Sequence, residues 1–169
     1  AHLPLILASD RSKMSKRHWA VAIQAYREWG YIIEAIINYL ALLGWNPGTD
    51  QELFTISELI EQFDITKIQK SGAVFDLKKF NWFNKEHLKK YSLDEFIAYL
   101  DLDSVPDLPA YFDTSSKKFQ QLVPLIRERI HTRQEAIEEI KAGEYDLFFT
   151  TPDYETSLLQ WKNDADVLA

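Results

Sequence analysis

Apolar residues recur along this chain at helical spacing over most of its length. Trp19, Ile23, Tyr26 and then Trp29 or Gly30 follow one another at three- and four-residue steps, as one face of a helix would. The stretch "IIEAIINYLALLG" is apolar nearly all round, which predicts a central, buried helix stopped at Gly44. In "LKKFNWFNKEHLKKY", residues Phe80, Phe83, His87 or Leu88, and Tyr91 form one stripe. Two short apolar runs break this periodicity. "HLPLILA" (residues 2–8) reads as a buried strand, and "GAVFD" (residues 72–76) as a second short strand.

Polar punctuation sets the boundaries. Thr55 with Glu58, Ser92 with Glu95, and Thr132 with Glu135 each have the spacing of a capping box, in which hydroxyl and carboxylate satisfy each other's backbone amides. Helices are therefore expected to begin near residues 56, 93 and 133. "WNPG" predicts a turn, Pro47 fixing φ and Gly48 accepting a left-handed conformation. "SVPDLPAYF", with Pro106 and Pro109, reads as a linker, and Pro124 should kink or restart the helix in "KKFQQLVPLIRERI". Asp76 and Lys79 stand one turn apart at a helix start and are expected to pair. The fold class is mainly α with a small sheet.

Composition narrows the chemistry. Hydrophobic residues make up 46% of the 169, enough to bury a core. Without cysteine there is no disulfide and no thiolate metal site. The four histidines are scattered, so no metal centre is expected. No apolar run approaches the ~20 residues that cross a bilayer, and the front lacks the layout of a signal peptide. The chain opens on Ala1 inside an expected strand and ends without a closing element, so it reads as a piece of a longer protein.

The formal charge of −7 is unevenly distributed. Residues 1–26, 65–91 and 117–134 are net basic, and the stretches between and after them are net acidic. Such alternation suits either ordinary solvated helix faces or a surface touching a polyanion at several places.

The sharpest basic cluster is "SDRSKMSKRHW". Lys13 and Lys16 sit three residues apart on a loop between an expected strand and an expected helix. Lysine is a compact charge on a flexible stem, and mobile cations can stabilise charge that develops on a polyphosphate. The surrounding sequence is more specific. "LPLILASDRSKMSKRHWAV", then "GYIIEAIINYLALLGW", then "FDLKKFNWFN" resemble, in order and spacing, bacterial-type glutamyl-tRNA synthetases of class I, whose signature loop takes the form K-(L/M/I)-S-K-R. "LVPLIRERIHT" and "DLFFT" further resemble the start of that family's helical anticodon-binding region. Two positions depart from the pattern: Trp19 stands where the family usually has Gly, and Ile33 where it usually has Pro.

The resemblance implies a part of an enzyme that joins glutamate to tRNA through a glutamyl-adenylate, using ATP and Mg2+. Lys13 and Lys16 would be its catalytic cations, Lys16 the stronger candidate for the phosphates, with Ser15 and Arg17 completing the ATP-binding loop. Residues 1–91 would comprise the end of the catalytic region and a tRNA stem-contact module; residues 92–169 would begin the anticodon-binding module. Lys85, Arg127, Arg129 and Arg133 are the expected tRNA contacts, because arginine forks to phosphates and stacks on bases. The H-x-G-H motif of the family's other half does not occur here, so this chain alone is expected to bind no ATP or Mg2+ and to be inactive. The expected partners are tRNA for glutamate, with tRNA for glutamine left open, in a cytoplasmic and monomeric parent. A stand-alone, non-catalytic helical RNA-binding or scaffold module is the alternative.

Overall fold

The computed structural model describes residues 4–15, 22–109 and 111–151. Among them a two-stranded parallel sheet, β1 (Ile6–Leu7) with β2 (Ala73–Val74), stands beside a set of helices. Ile6 pairs with Ala73 and Leu7 with Val74. The helices are α1 (Ile23–Glu28), α2 (Ile33–Gly44), α3 (Ile56–Gln62), α4 (Leu77–Leu88), α5 (Leu93–Leu100), α6 (Lys117–Arg129) and α7 (Arg133–Lys141), with 3-10 turns at Ile65–Lys67, Leu102–Ser104 and Asp146–Phe148. The mainly α reading with a small sheet holds.

Local chemistry starts the helices where the sequence places them. The boxes of Thr55 with Glu58 and Ser92 with Glu95 are complete. The third is rewired: Thr132 accepts from the Glu135 amide, but Glu135 Oε2 turns to the amide of His131 at 2.6 Å and to its ring at 3.1 Å. Asp76 caps α4 by accepting from the amides of Lys78 and Lys79, and the Lys79 ammonium pairs with Glu52 instead. A carboxylate committed to its own helix start leaves the lysine free to cross to another element. Gly48 is left-handed as expected, at φ 86°.

Two layers of aromatic packing hold the first half together. Phe80 on α4 is stacked between Tyr31 (4.3 Å) and Tyr39 (4.7 Å), with Tyr26 edge-on. The Tyr39 hydroxyl accepts from the Asp76 amide at 2.8 Å and donates to its carbonyl at 3.1 Å, tying α2 to the start of α4. Trp45, Phe54 and Leu59 form a smaller cluster, in which Trp45 is buried at 2% exposure. The second half packs around Phe96, Phe119, Leu122 and Ile126, and this core also takes in Ile32, Ala35 and Leu88.

Four further expectations change. The expected strand is not buried throughout: Leu5 is 55% and Ile6 40% exposed, and Leu7 is half-buried. Helix α2 is buried on one side only, with Ile33 and Ile37 facing outward. Residues 105–112 are no linker, since Val105, Leu108, Tyr111 and Phe112 all pack on the second core. Helix α6 runs through Pro124 to Arg129, held by buried Leu122, Val123 and Ile126 on either side of the proline. Ile33 is the first residue of α2, a position where proline is equally suited.

Candidate nucleotide loop and its supports

The basic loop leaves β1 and folds back on it. Arg11 donates its amide to the Ala8 carbonyl at 2.8 Å, and Ala8 donates to Ser12 at 2.9 Å. Arg11 takes a left-handed φ of 63°, and the Asp10 carboxylate accepts from the Ser12 amide at 2.9 Å, closing a tight turn. The chain then returns antiparallel: Lys13 bridges to Leu7, and the Met14 amide reaches the Ile6 carbonyl at 3.0 Å. Leu7 thus lies between β2 on one edge and Lys13 on the other. Lys13 is exposed and Ser15 half-buried. Lys16, Arg17 and Trp19 lie outside the described residues.

The small sheet is joined to the helices through main-chain groups. The Phe75 amide donates to the Leu7 carbonyl at 2.8 Å, one residue before the Asp76 cap that Tyr39 holds. Beside β1 lies an apolar cleft of about 240 Å³, walled by Leu5, Ile6, Leu40, Trp45, Phe63 and Ala73. A second, more polar cleft of about 380 Å³ opens on the far side of Trp45, towards Asp50, Glu52, Asp76 and Lys79.

The four cations expected to meet tRNA all have intramolecular partners. Lys85 donates to the Glu128 carbonyl. Arg127 lies 4.6 Å over the Phe96 ring and donates to the Ser92 carbonyl at 3.1 Å, fastening α6 to the start of α5. Arg129 pairs with Glu139 at 3.4 Å and Glu144 at 3.2 Å and covers Tyr145. Arg133 belongs to the next helix, where its guanidinium donates to the carbonyls of Leu100 (2.7 Å) and Asp101 (3.0 Å). The three arginines therefore do not share one helix face. Arg129 is the most open of them.

Two residues that the sequence did not single out organise these parts. Asn84, buried on α4, accepts from the Ile32 amide at 2.9 Å and donates to the His131 carbonyl at 2.6 Å, joining the two halves of the chain. Gly72 permits the close approach of the chain entering β2 to β1. Neither has a local signal, since each contact spans a long stretch of sequence. Among the described residues no cluster of three or more His, Asp or Glu could hold a metal ion, and no helix is long and apolar enough to cross a membrane.

Comparison with known proteins gives this geometry its context. Residues 1–82 match the family model described as tRNA synthetases class I (E and Q), catalytic domain. A glutamate–tRNA ligase of Clostridium tetani is 41% identical over 157 residues, covering 93% of this chain and 30% of that protein. One from Carboxydothermus hydrogenoformans is 50% identical over 97 residues, covering 57% of this chain and 20% of the relative. The crystal structure of a glutamate tRNA ligase from Elizabethkingia meningosepticum superposes with a TM-score of 0.71 at 28% identity, over 99% of this chain and 36% of that one. The chain thus spans about a third or less of the length of the proteins it matches.

Proposed function

This chain belongs to the class I tRNA synthetases for glutamate and glutamine, and from that premise we propose that it supplies the nucleotide-signature loop and the first tRNA-contacting surfaces of a glutamate–tRNA ligase. The reaction is the ATP-dependent formation of glutamyl-adenylate followed by transfer of glutamate to tRNA. One observation carries the reading. The exposed Lys13 stands on a loop fixed in register to Leu7, inside the stretch that matches a catalytic domain.

In this reading Lys13 and Lys16 meet the ATP phosphates and neutralise charge that grows as pyrophosphate departs, Lys16 foremost. Ser15 and Arg17 complete the ATP-binding loop. Magnesium enters with ATP as part of the substrate. Residues 1–91 form the loop and stem-contact module, and residues 92–169 open the anticodon-binding module. Lys85, Arg127, Arg129 and Arg133 are the tRNA contacts, Arg129 first among them because it is the most exposed. The parent acts as a cytoplasmic monomer, and this chain on its own, without the H-x-G-H part, neither binds ATP nor forms adenylate.

The test is ATP–pyrophosphate exchange by the full-length synthetase, with tRNA present, for Lys13→Ala and Lys16→Ala. Removing a phosphate-directed cation should cost on the order of 10²-fold in kcat, comparable to loss of one preorganised donor, with the glutamate KM little changed. A normal kcat in both variants would sink the reading.

A further inference from the structure

Gly72 stands one residue before β2, and its neighbours leave no room for a side chain. A Cβ there would lie 2.9 Å from the Leu5 carbonyl oxygen and 2.9 Å from Leu7 Cδ1, closer than carbon atoms settle without something moving. The position is not left-handed, so its demand is for space alone. One of the two obstructing atoms is main chain and cannot swing aside.

Both obstructions belong to the segment that carries the basic loop. That segment cannot shift without taking the loop along. Its Leu7 carbonyl is held by Phe75, and its opposite edge holds Lys13 through the bridge to Leu7 and Met14 through the Ile6 carbonyl. The β2 side is the anchored one, since Asp76 caps α4 and is gripped by Tyr39. A side chain at 72 would therefore move β1 rather than α4.

We propose that Gly72 is a positioning residue for the signature loop: its missing side chain lets β1 seat against β2 and so fixes where Lys13 stands. The inference rests on the function proposed above and adds a residue that touches neither nucleotide nor tRNA. Misplacing a reacting group by about 1 Å can cost on the order of 10²-fold in rate, so a few tenths of an ångström at β1 should be readable in kcat.

The experiment compares Gly72→Ala with Lys13→Ala and Lys16→Ala in the full-length synthetase. Pyrophosphate-exchange kcat is measured per titrated active site, together with the KM for ATP and for glutamate and the thermal midpoint. Gly72→Ala should lower kcat by about 10-fold, with the glutamate KM within about twofold of the parent, because placement and not binding is disturbed. An unchanged kcat per active site overturns the proposal, even if the thermal midpoint falls, since that would leave Gly72 a purely structural role. If Gly72→Ala does not fold, the double variant Gly72→Ala/Leu7→Ala makes the same test with one obstruction cleared. The Leu5 carbonyl oxygen still stands 2.9 Å from the added Cβ, so β1 is still displaced, and an unaltered kcat would again overturn the proposal. Loss of rate in the lysine variants without loss in the Gly72 variants refutes the positioning role alone; no loss in both Lys13→Ala and Lys16→Ala refutes the parent reading.

Discussion

The amide of Asn84 on α4 donates to the carbonyl of His131, 47 residues away, at 2.6 Å. The same side chain receives the Ile32 amide, which precedes α2 and has no local cap. One buried carboxamide thus joins the start of α2, the middle of α4 and the approach to α7.

Removing that side chain strands buried backbone groups on both sides. Asn84→Ala should destabilise the chain by about 2–3 kcal/mol, the cost of unsatisfied buried partners. Asn84→Asp should be worse at neutral pH, because a carboxylate oxygen would then face the His131 carbonyl. Urea unfolding with unchanged m-value is the measurement, and an alanine variant as stable as the parent would contradict this role.

Gly30 makes a second connection between the same regions. Its φ is 93°, and a Cβ would stand 2.4 Å from Arg133 Cβ. Gly30→Ala combines left-handed strain with overpacking and should cost about 3 kcal/mol or more. The companion variant Gly44→Ala meets nothing within 4 Å and lies inside a helix, so it should be neutral or slightly stabilising. Thermal unfolding of the pair reads the contrast directly.

His87 supplies a pH dependence. Its Nε2 lies 3.0 Å from Asn38 Oδ1, an oxygen that also accepts from the Phe54 amide while the Asn38 amide donates to the Glu52 carbonyl. The Asn38 orientation is thereby set, and His87 must carry its proton on Nε2. Burial first, and Lys90 second, lower the His87 pKa, with Glu34 opposing. The unfolded chain therefore takes up a proton at a pH where the folded one does not. Stability is fully present above the ordinary value of about 6.5 and falls as pH drops from there towards the lowered folded value. His87→Gln should remove that slope between about pH 7 and 5, before the carboxylates titrate. Parallel stability–pH curves for variant and parent would show that His87 does not contribute.

The arginines separate by partner. Arg127→Ala removes a stacked guanidinium and its bond to Ser92, and should cost about 1–2 kcal/mol of stability, whereas Arg129→Ala breaks solvent-facing ion pairs and a contact over Tyr145 and should lower stability less. If Arg129 meets a tRNA phosphate, its replacement should also reduce the salt slope of tRNA binding by about one ion. The affinity of the full-length synthetase for tRNA at two salt concentrations, beside a melting curve for each variant, distinguishes the roles. An unchanged slope for Arg129→Ala returns it to the solvated surface.

Much of this architecture is legible from short-range pattern, because caps and helix stripes are written within a few residues. Thr55, Ser92 and Thr132 start helices where their spacing says, and Phe80, Phe83 and His87 face inward as their stripe requires. What the sequence hides is the choice of distant partner. Lys79 passes over Asp76 for Glu52, 27 positions back along the chain. The 105–112 stretch looks like a linker by its prolines, yet its apolar residues close the second core. The basic loop is legible as chemistry through its lysines. Its anchorage is not, since Gly72 and Leu7 stand 65 positions apart in the sequence and meet only in the fold.

The parallel pairing of Ile6 with Ala73 carries a kinetic consequence. Two residues of ladder must close a long span of chain, and such contacts repay their loop-closure entropy late. The helices, with local hydrogen bonds and aromatic packing of their own, can assemble first. The ribbon is then the last piece to form and the first to open. An opening confined to β1 would release the Phe75 amide to exchange with solvent while the amides beneath Phe83 stay protected. The lysine-bearing turn can thus come loose and reseat as a unit without unfolding the helices that support it.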